Sequence, residues 1–228
     1  MENRPDFFFT WFGLTKLGVV VAFINTQVSG RPLVHALETT QARAAVVGEE
    51  CLANFAATEG LPDLPLWGLA DAEKPCQDAA AGVADMAFTA EVSAAPREAF
   101  PRSHRAAITA ETPTLLIFTS GTTGLPKAAR YSHMRWLSSG DVMEVTIGAT
   151  PDDVFYCCLP LYHGAAATSV TSTALRASVP PLSIWSPTHE AVLLPRRLLA
   201  VATHRRPRSR SGPRLREGRR QDQAHRVR

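Results

Sequence analysis

The chain of 228 residues is 45% apolar with a formal charge of +3, the ordinary balance of a globular protein able to bury a sizeable core as one large domain or two small ones. Twelve arginines against Glu217 and Asp222 put +10 into residues 196–228 and leave −7 for the rest, so the basic character belongs to the C-terminal segment and not to the bulk. Cys51, Cys76, Cys157 and Cys158 show no metal-ligand spacing, and the adjacent pair is poorly placed for an internal bridge, which argues against a disulfide framework and fits a reducing cytoplasm.

In chain order, Asn3 is placed to cap a helix whose first turn holds Pro5 and Asp6 and whose apolar positions run to about Leu17. The β-branched run at residues 19–24 suits a strand buried on both faces. Residues 7–24 as a whole are not a membrane span or signal segment: Lys16 and two threonines interrupt them, and Glu2 and Asp6 precede them where a basic region would be needed. A helix over residues 31–41, a strand over 44–47 and a helix over 50–57 follow. Residues 71–112, rich in Ala, Pro, Glu and Ser, read as a surface excursion with one short helix. A strand at 114–118, a second after the next loop, a helix over 133–145, a strand over 154–159 and a helix over 165–175 complete the pattern. Helices alternating with short apolar strands predict an α/β fold with a mostly parallel sheet and crossover helices.

The strand at 114–118 runs into Thr119, Ser120, Gly121, Thr122, Thr123, Gly124, Leu125, Pro126 and Lys127. A loop that holds a polyphosphate needs unobstructed backbone N–H groups, hydroxyl donors and a cation. Gly121 and Gly124 allow close approach, four hydroxyls sit between them and around them, and Lys127 brings the charge. The position directly after a buried strand is where open α/β sheets bind ligands. It is not a Walker loop, because Leu125 and Pro126 separate Gly124 from the lysine and Ala128 follows it. The competing reading of the same residues is a Ser/Thr/Gly-rich turn joining two strands. Asp152 and Asp153 read as a solvated turn rather than a magnesium site, and His133 as a helix-start residue rather than a catalyst.

These nine residues resemble the signature loop of the adenylate-forming (AMP-binding) superfamily. The segments Glu2-Asn3-Arg4-Pro5-Asp6-Phe7, Leu17-Gly18 leading to Ile24-Asn25-Thr26, and Leu159-Pro160-Leu161-Tyr162-His163 are similar to its fatty-acid-transport-protein branch, the very-long-chain acyl-CoA synthetases. The resemblance covers residues 1–177 and implies part of an N-terminal adenylation domain, with 178–228 as a disordered Pro/Arg-rich tail. It implies a fatty acid–CoA ligase with ATP, magnesium and coenzyme A as cofactors. Thr119, Ser120, Gly121, Thr122, Thr123, Gly124 and Lys127 would then hold phosphate, and Tyr162 and His163 would lie beside the carboxylate and acyl chain. The implied setting is cytoplasmic, with room for peripheral association of the full-length parent with a membrane.

The family's adenine-contacting Thr-Glu segment, its ribose-binding aspartate and its catalytic lysine have no match here, so no catalytic residue is assigned. The chain reads as a truncated, inactive fragment, or as a non-catalytic nucleotide-binding or scaffold unit. Residues 196–228 lack Lys, Asn, Ile, Met, Phe, Tyr, Trp and Cys, a bias that a GC-rich gene gives when read out of frame. The rival account is an Arg-rich arm that binds nucleic acid through phosphates, although no aromatic stacking residue interleaves the arginines. The first account predicts a frameshift near residue 178. Sequencing the gene from independent isolates checks it, and the same tail in a single intact frame throughout would refute it.

Overall fold

Proline supplies no amide hydrogen and fixes φ, so it suits a helix start. The first helix, α1 (Pro5–Lys16), begins there, with Asp6 in the first turn and Lys16 in the last, and it buries Phe7, Phe8 and Trp11 on one face. The computed structural model describes residues 1–71, 82–119, 125–151, 153, 155–178 and 184–185.

After α1 come β1 (Val21–Phe23), α2 (Arg31–Thr40), β2 (Ala45–Gly48), a 3₁₀ turn at Glu49–Cys51, α3 (Leu52–Ala56) and β3 (Leu66–Leu69). Then follow α4 (Ala87–Ala94), a 3₁₀ turn at Arg102–Arg105, β4 (Pro113–Thr119), β5 (Lys127–Ser132) and α5 (His133–Ile147). The last described elements are β6 (Phe155–Tyr156), a π-helical turn at Ala166–Val170, α6 (Thr171–Arg176) and β7 (Ile184–Trp185). β1 pairs parallel with β4, β2 with β3 and β6 with β7, while β4 and β5 form an antiparallel hairpin. The mostly parallel α/β architecture expected from the sequence is therefore observed. β7 lies beyond residue 177. The expectation of a disordered basic tail falls on residues 179–183 and 186–228, outside the described residues.

The principal core joins Phe7, Phe8 and Trp11 to Phe23, Leu115, Ile117, Trp136, Leu161 and Ala166. A second core packs Leu33 and Leu37 of α2 on Val47, Leu52 and Phe55. Residues 7–24 form a helix followed by a strand, and no helix among the described residues is long and apolar enough to cross a membrane. Among the described strands β1 and β2 each pair on one side only, and both line an apolar cavity of about 670 Å³ together with Trp11, Leu33 and Phe55.

Two local expectations change. Asn3 is not the cap of α1; Arg4 is, in extended backbone at φ −151 and ψ 164. The Asn3 side chain is used elsewhere, because Nδ2 donates to the Leu159 carbonyl at 2.9 Å and Oδ1 accepts from the Leu161 amide at 2.6 Å. The helix expected over 165–175 is interrupted by the π-helical turn. Trp136 Nε1 donates to the Ala167 carbonyl at 2.6 Å, and the Thr171 amide bonds instead to the carbonyl of Ala166. An indole that takes one carbonyl from the ladder widens the turn by one residue.

Arg4 is almost completely buried and binds on four sides. Its Nε lies 3.4 Å from Asp6, its Nη1 lies 3.4 Å from Glu50 and 3.3 Å from Asp71, and its Nη2 donates to the Leu69 carbonyl at 2.8 Å. Removing one member of a buried ion pair leaves uncompensated charge, typically at about 3–5 kcal/mol. Because the Asp6, Glu50 and Asp71 side chains are 43%, 24% and 13% exposed and water screens part of that loss, Arg4→Ala is expected to lower unfolding stability by about 2–3 kcal/mol in urea titrations, and a loss under about 1 kcal/mol would show that the three carboxylates are satisfied without it.

Candidate functional site

β4 ends at Thr119 and β5 begins at Lys127, and the two residues are register partners, so the phosphate-loop segment closes a hairpin between them. Thr119 Oγ1 donates to the Lys127 carbonyl at 3.4 Å, a long bond across the stem. Ser120, Gly121, Thr122, Thr123 and Gly124 lie outside the described residues. Antiparallel pairing explains how one lysine returns beside the strand that led into the loop.

A cleft of about 380 Å³ opens at the carboxyl ends of the parallel strands β1 and β4. Its floor is Phe23, Ile117 and Phe118, and Thr119 and Pro126 bring the loop's two stems to it. Tyr162, His163 and Gly164 line it as well. The structure thus brings together Thr119, Tyr162 and His163, which the sequence offered from two separate segments. Lys127 is exposed one residue beyond Pro126 and is not part of the lining. Ligand sites of open α/β sheets lie at such strand ends.

Tyr162 is half-buried and packs against the principal core, which leaves an apolar ring wall toward the cleft. His163 starts the helical segment that follows. Its carbonyl accepts from the Ala167 amide at 2.9 Å, and its Nδ1 accepts from the Ala165 amide at 3.2 Å. A ring nitrogen that accepts from a backbone amide carries no proton, so in the neutral imidazole the proton sits on Nε2, which is thereby a donor. No Asp or Glu occurs among the described lining residues. The described polar groups at the cleft include the Thr119 and tyrosine hydroxyls and a histidine donor, with Lys127 nearby, a set suited to an anion.

Among the polar lining residues to which sequence reasoning gives no site role are His35 on α2 and Tyr131 on β5. His35 Nε2 lies 3.1 Å from the Pro126 carbonyl. Its only sequence signal is a polar ring beside the buried positions Leu33, Ala36 and Leu37 of an amphipathic helix. Asp153, expected in a solvated turn, is buried: its Oδ2 closes the turn by accepting from the Thr150 amide at 2.7 Å and the Thr150 hydroxyl at 3.1 Å. Asp152 lies outside the described residues. His133 is the first residue of α5, and burial holds its imidazole below the usual histidine range. Burial likewise pushes the thiols of Cys51 and Cys157 up, which makes both poor nucleophiles. No cluster of three metal-ligating side chains occurs among the described residues.

The chain matches the AMP-binding enzyme family over residues 1–207 and belongs to it. It is 40% identical over 171 residues to long-chain fatty acid transport protein 6 of Homo sapiens and of Mus musculus, covering 73% of this chain and 26% of each relative. To long-chain fatty acid transport protein 3 of Homo sapiens it is 38% identical over 167 residues, covering 70% of this chain and 22% of that one. The chain thus spans about a quarter of the length of these relatives. Among solved structures its fold is similar to an acyl-CoA synthetase of Brucella canis, at TM-score 0.61 and 18% identity over 78% of this chain and 31% of that one. It is similar also to a long-chain-fatty-acid–CoA ligase of Archaeoglobus fulgidus, at TM-score 0.58 and 18% identity over 78% and 33%.

The dual use of the His163 ring gives a testable separation. Asparagine places an acceptor oxygen where Nδ1 stands, whereas alanine removes it. His163→Ala is expected to cost about 0.5–1 kcal/mol in chemical denaturation, as for other exposed helix-start acceptors, and His163→Asn distinctly less. Equal losses in the two variants would show that the Ala165 contact does not stabilise the segment.

Proposed function

We propose that the chain forms the phosphate-binding and carboxylate-side part of an ATP-dependent, AMP-forming ligase that joins long or very long fatty acids to coenzyme A. The observation that carries this reading is the convergence of Thr119 and Pro126, the two stems of the loop, with Tyr162 and His163 on one cleft. Membership of the AMP-binding enzyme family and similarity to long-chain fatty acid transport proteins support it.

In the proposed reaction a carboxylate oxygen attacks the α-phosphorus of ATP, pyrophosphate leaves, and the thiol of coenzyme A then attacks the acyl carbon and releases AMP. The first step brings two anions together, so the barrier depends on cationic and N–H stabilisation of the phosphates. Residues 119–127 would supply that stabilisation through Lys127, the hydroxyls and the loop amides. Tyr162 would flank the acyl chain, and His163 would donate Nε2–H to a carboxylate or phosphate oxygen. The described cleft lining offers magnesium no carboxylate. A metal arriving with the triphosphate would be held by phosphate oxygens and hydroxyls, and would neutralise charge there.

The 228 residues contain no counterpart of the segments that would grip adenine and ribose, and no assigned catalytic lysine. We propose that the chain alone binds MgATP without completing the adenylation, in a cytoplasmic setting with a membrane-proximal parent. Charge-assisted hydrogen bonds contribute about 1.5–3 kcal/mol, so Lys127→Ala is expected to weaken MgATP binding about 10- to 100-fold in calorimetric titrations. Absence of saturable binding, or binding indifferent to Lys127, would overturn the phosphate assignment. Fatty-acid-dependent exchange of pyrophosphate into ATP by the chain alone would overturn the absence of turnover.

A further inference from the structure

Resting on the phosphate-loop reading above, we propose that His35 is a positioning residue for that loop, so that helix α2, as well as the β4–β5 hairpin, sets where Lys127 is presented. A carbonyl oxygen only accepts, so the 3.1 Å contact between His35 Nε2 and the Pro126 carbonyl requires the proton on Nε2. Nδ1 is then an acceptor, and the Thr39 hydroxyl one turn along α2 lies 3.4 Å from both ring nitrogens. The same ring lines the cleft beside Tyr162 and His163.

The hairpin alone holds this stem weakly. Its register begins at the Thr119–Lys127 pair, so Pro126 stands outside the ladder, and proline has no amide hydrogen to offer. The side-chain bond across the stem, from Thr119 to the Lys127 carbonyl, is long at 3.4 Å. His35 takes the one hydrogen-bonding group that Pro126 has. Its own backbone is fixed, because Leu33, Ala36 and Leu37 on either side of it are buried at 1%, 5% and 2% exposure. A half-buried contact separated by 91 residues thus fixes the residue immediately before the loop's cation to a packed helix. Movement of α2 would displace Lys127 with it.

Amide hydrogen exchange and MgATP titration on the full chain test this with two variants. His35→Leu keeps bulk and removes the donor, whereas His35→Gln keeps an N–H donor at similar reach. A neutral hydrogen bond of this kind corresponds to about a two- to tenfold change in an equilibrium. We expect exchange at residues 127–131 to rise by that factor in His35→Leu, to return toward wild type in His35→Gln, and to stay unchanged at residues 45–48 of β2. MgATP affinity is expected to fall in the same order. Unchanged exchange at 127–131 in His35→Leu, or an equal rise across α2 and β2, or a Gln variant as fast as the Leu variant, would overturn the positioning role. If the wild-type chain binds no MgATP, the phosphate reading fails while the exchange comparison still decides whether His35 holds the stem.

Discussion

The architecture depends on two adjacent polar residues buried at the start of α1. Asn3 and Arg4 are 6% and 4% exposed, and burial of an amide and a guanidinium is tolerable only when hydrogen bonds and ion pairs offset the lost hydration. Arg4 reaches toward the second sheet, to the Leu69 carbonyl at the end of β3 and to Glu50 and Asp71 that flank it. Asn3 reaches the other way, to the main chain at Leu159 and Leu161. Glu49 extends the first arm by accepting from the Asp71 amide at 2.7 Å, and the Glu2 amide donates to Glu50 at 2.7 Å. The chain therefore knots its first residues to two distant segments before any apolar contact is counted. Because Leu161 leads directly into Tyr162 and His163, the Asn3 amide also sets where the cleft wall stands.

The far side of the site is coupled to α5 through Trp136. Its indole fills the principal core between Trp11 and Phe12 and spends its N–H on Ala167, inside the turn that follows His163. Ser172 then donates to the Trp136 carbonyl at 2.8 Å, so α5 and the helical segment exchange hydrogen bonds in both directions. Gly140 permits that approach: a Cβ there would stand 2.7 Å from the backbone carbonyl of Ser172. The π-helical turn is accordingly a consequence of helix–helix docking rather than of local propensity, and it lies directly beside the cleft.

Elements with strong local chemistry were legible in the sequence. α1 is placed within a few residues because Pro5 marks its start, and β4 because its apolar run stops at hydroxyls, while α2 and α5 also fall within a few residues of their expected spans. β3 went unread, since Pro65 and Gly68 look like turn residues when seen without their partner strand. In the fold Pro65 stands just ahead of the strand and its carbonyl accepts the Ala45 amide at 2.9 Å. Asn3 and Asp153 were misread for the same reason: each has a plausible local role, and tertiary contacts assign another. The composition of residues 119–127 suggests a phosphate loop, and Thr119 shares one cleft with Tyr162 and His163. His35 had no such advertisement, because a contact across 91 residues leaves no periodicity to detect.

The cleft and the apolar cavity are neighbours that share Phe23, Ile24, Asn25 and Val28 in their walls. Phe23, Ile117, Tyr131 and Tyr162 of the cleft belong to or pack against the principal core, which is closed by α1 and Trp136. The apolar cavity of about 670 Å³ extends from there to where β1 and β2 present edges unpaired among the described strands. Strand edges and apolar surface of that kind lower solubility and local stability. His35 and Arg4 add polar links: α2 belongs to the second core yet touches the loop stem, and Arg4 ties α1 to β3. Loosening around the cavity would therefore reach the cleft directly through the residues the two share at the end of β1, while the hairpin, Asn3 and Trp136 hold the opposite cleft wall in place.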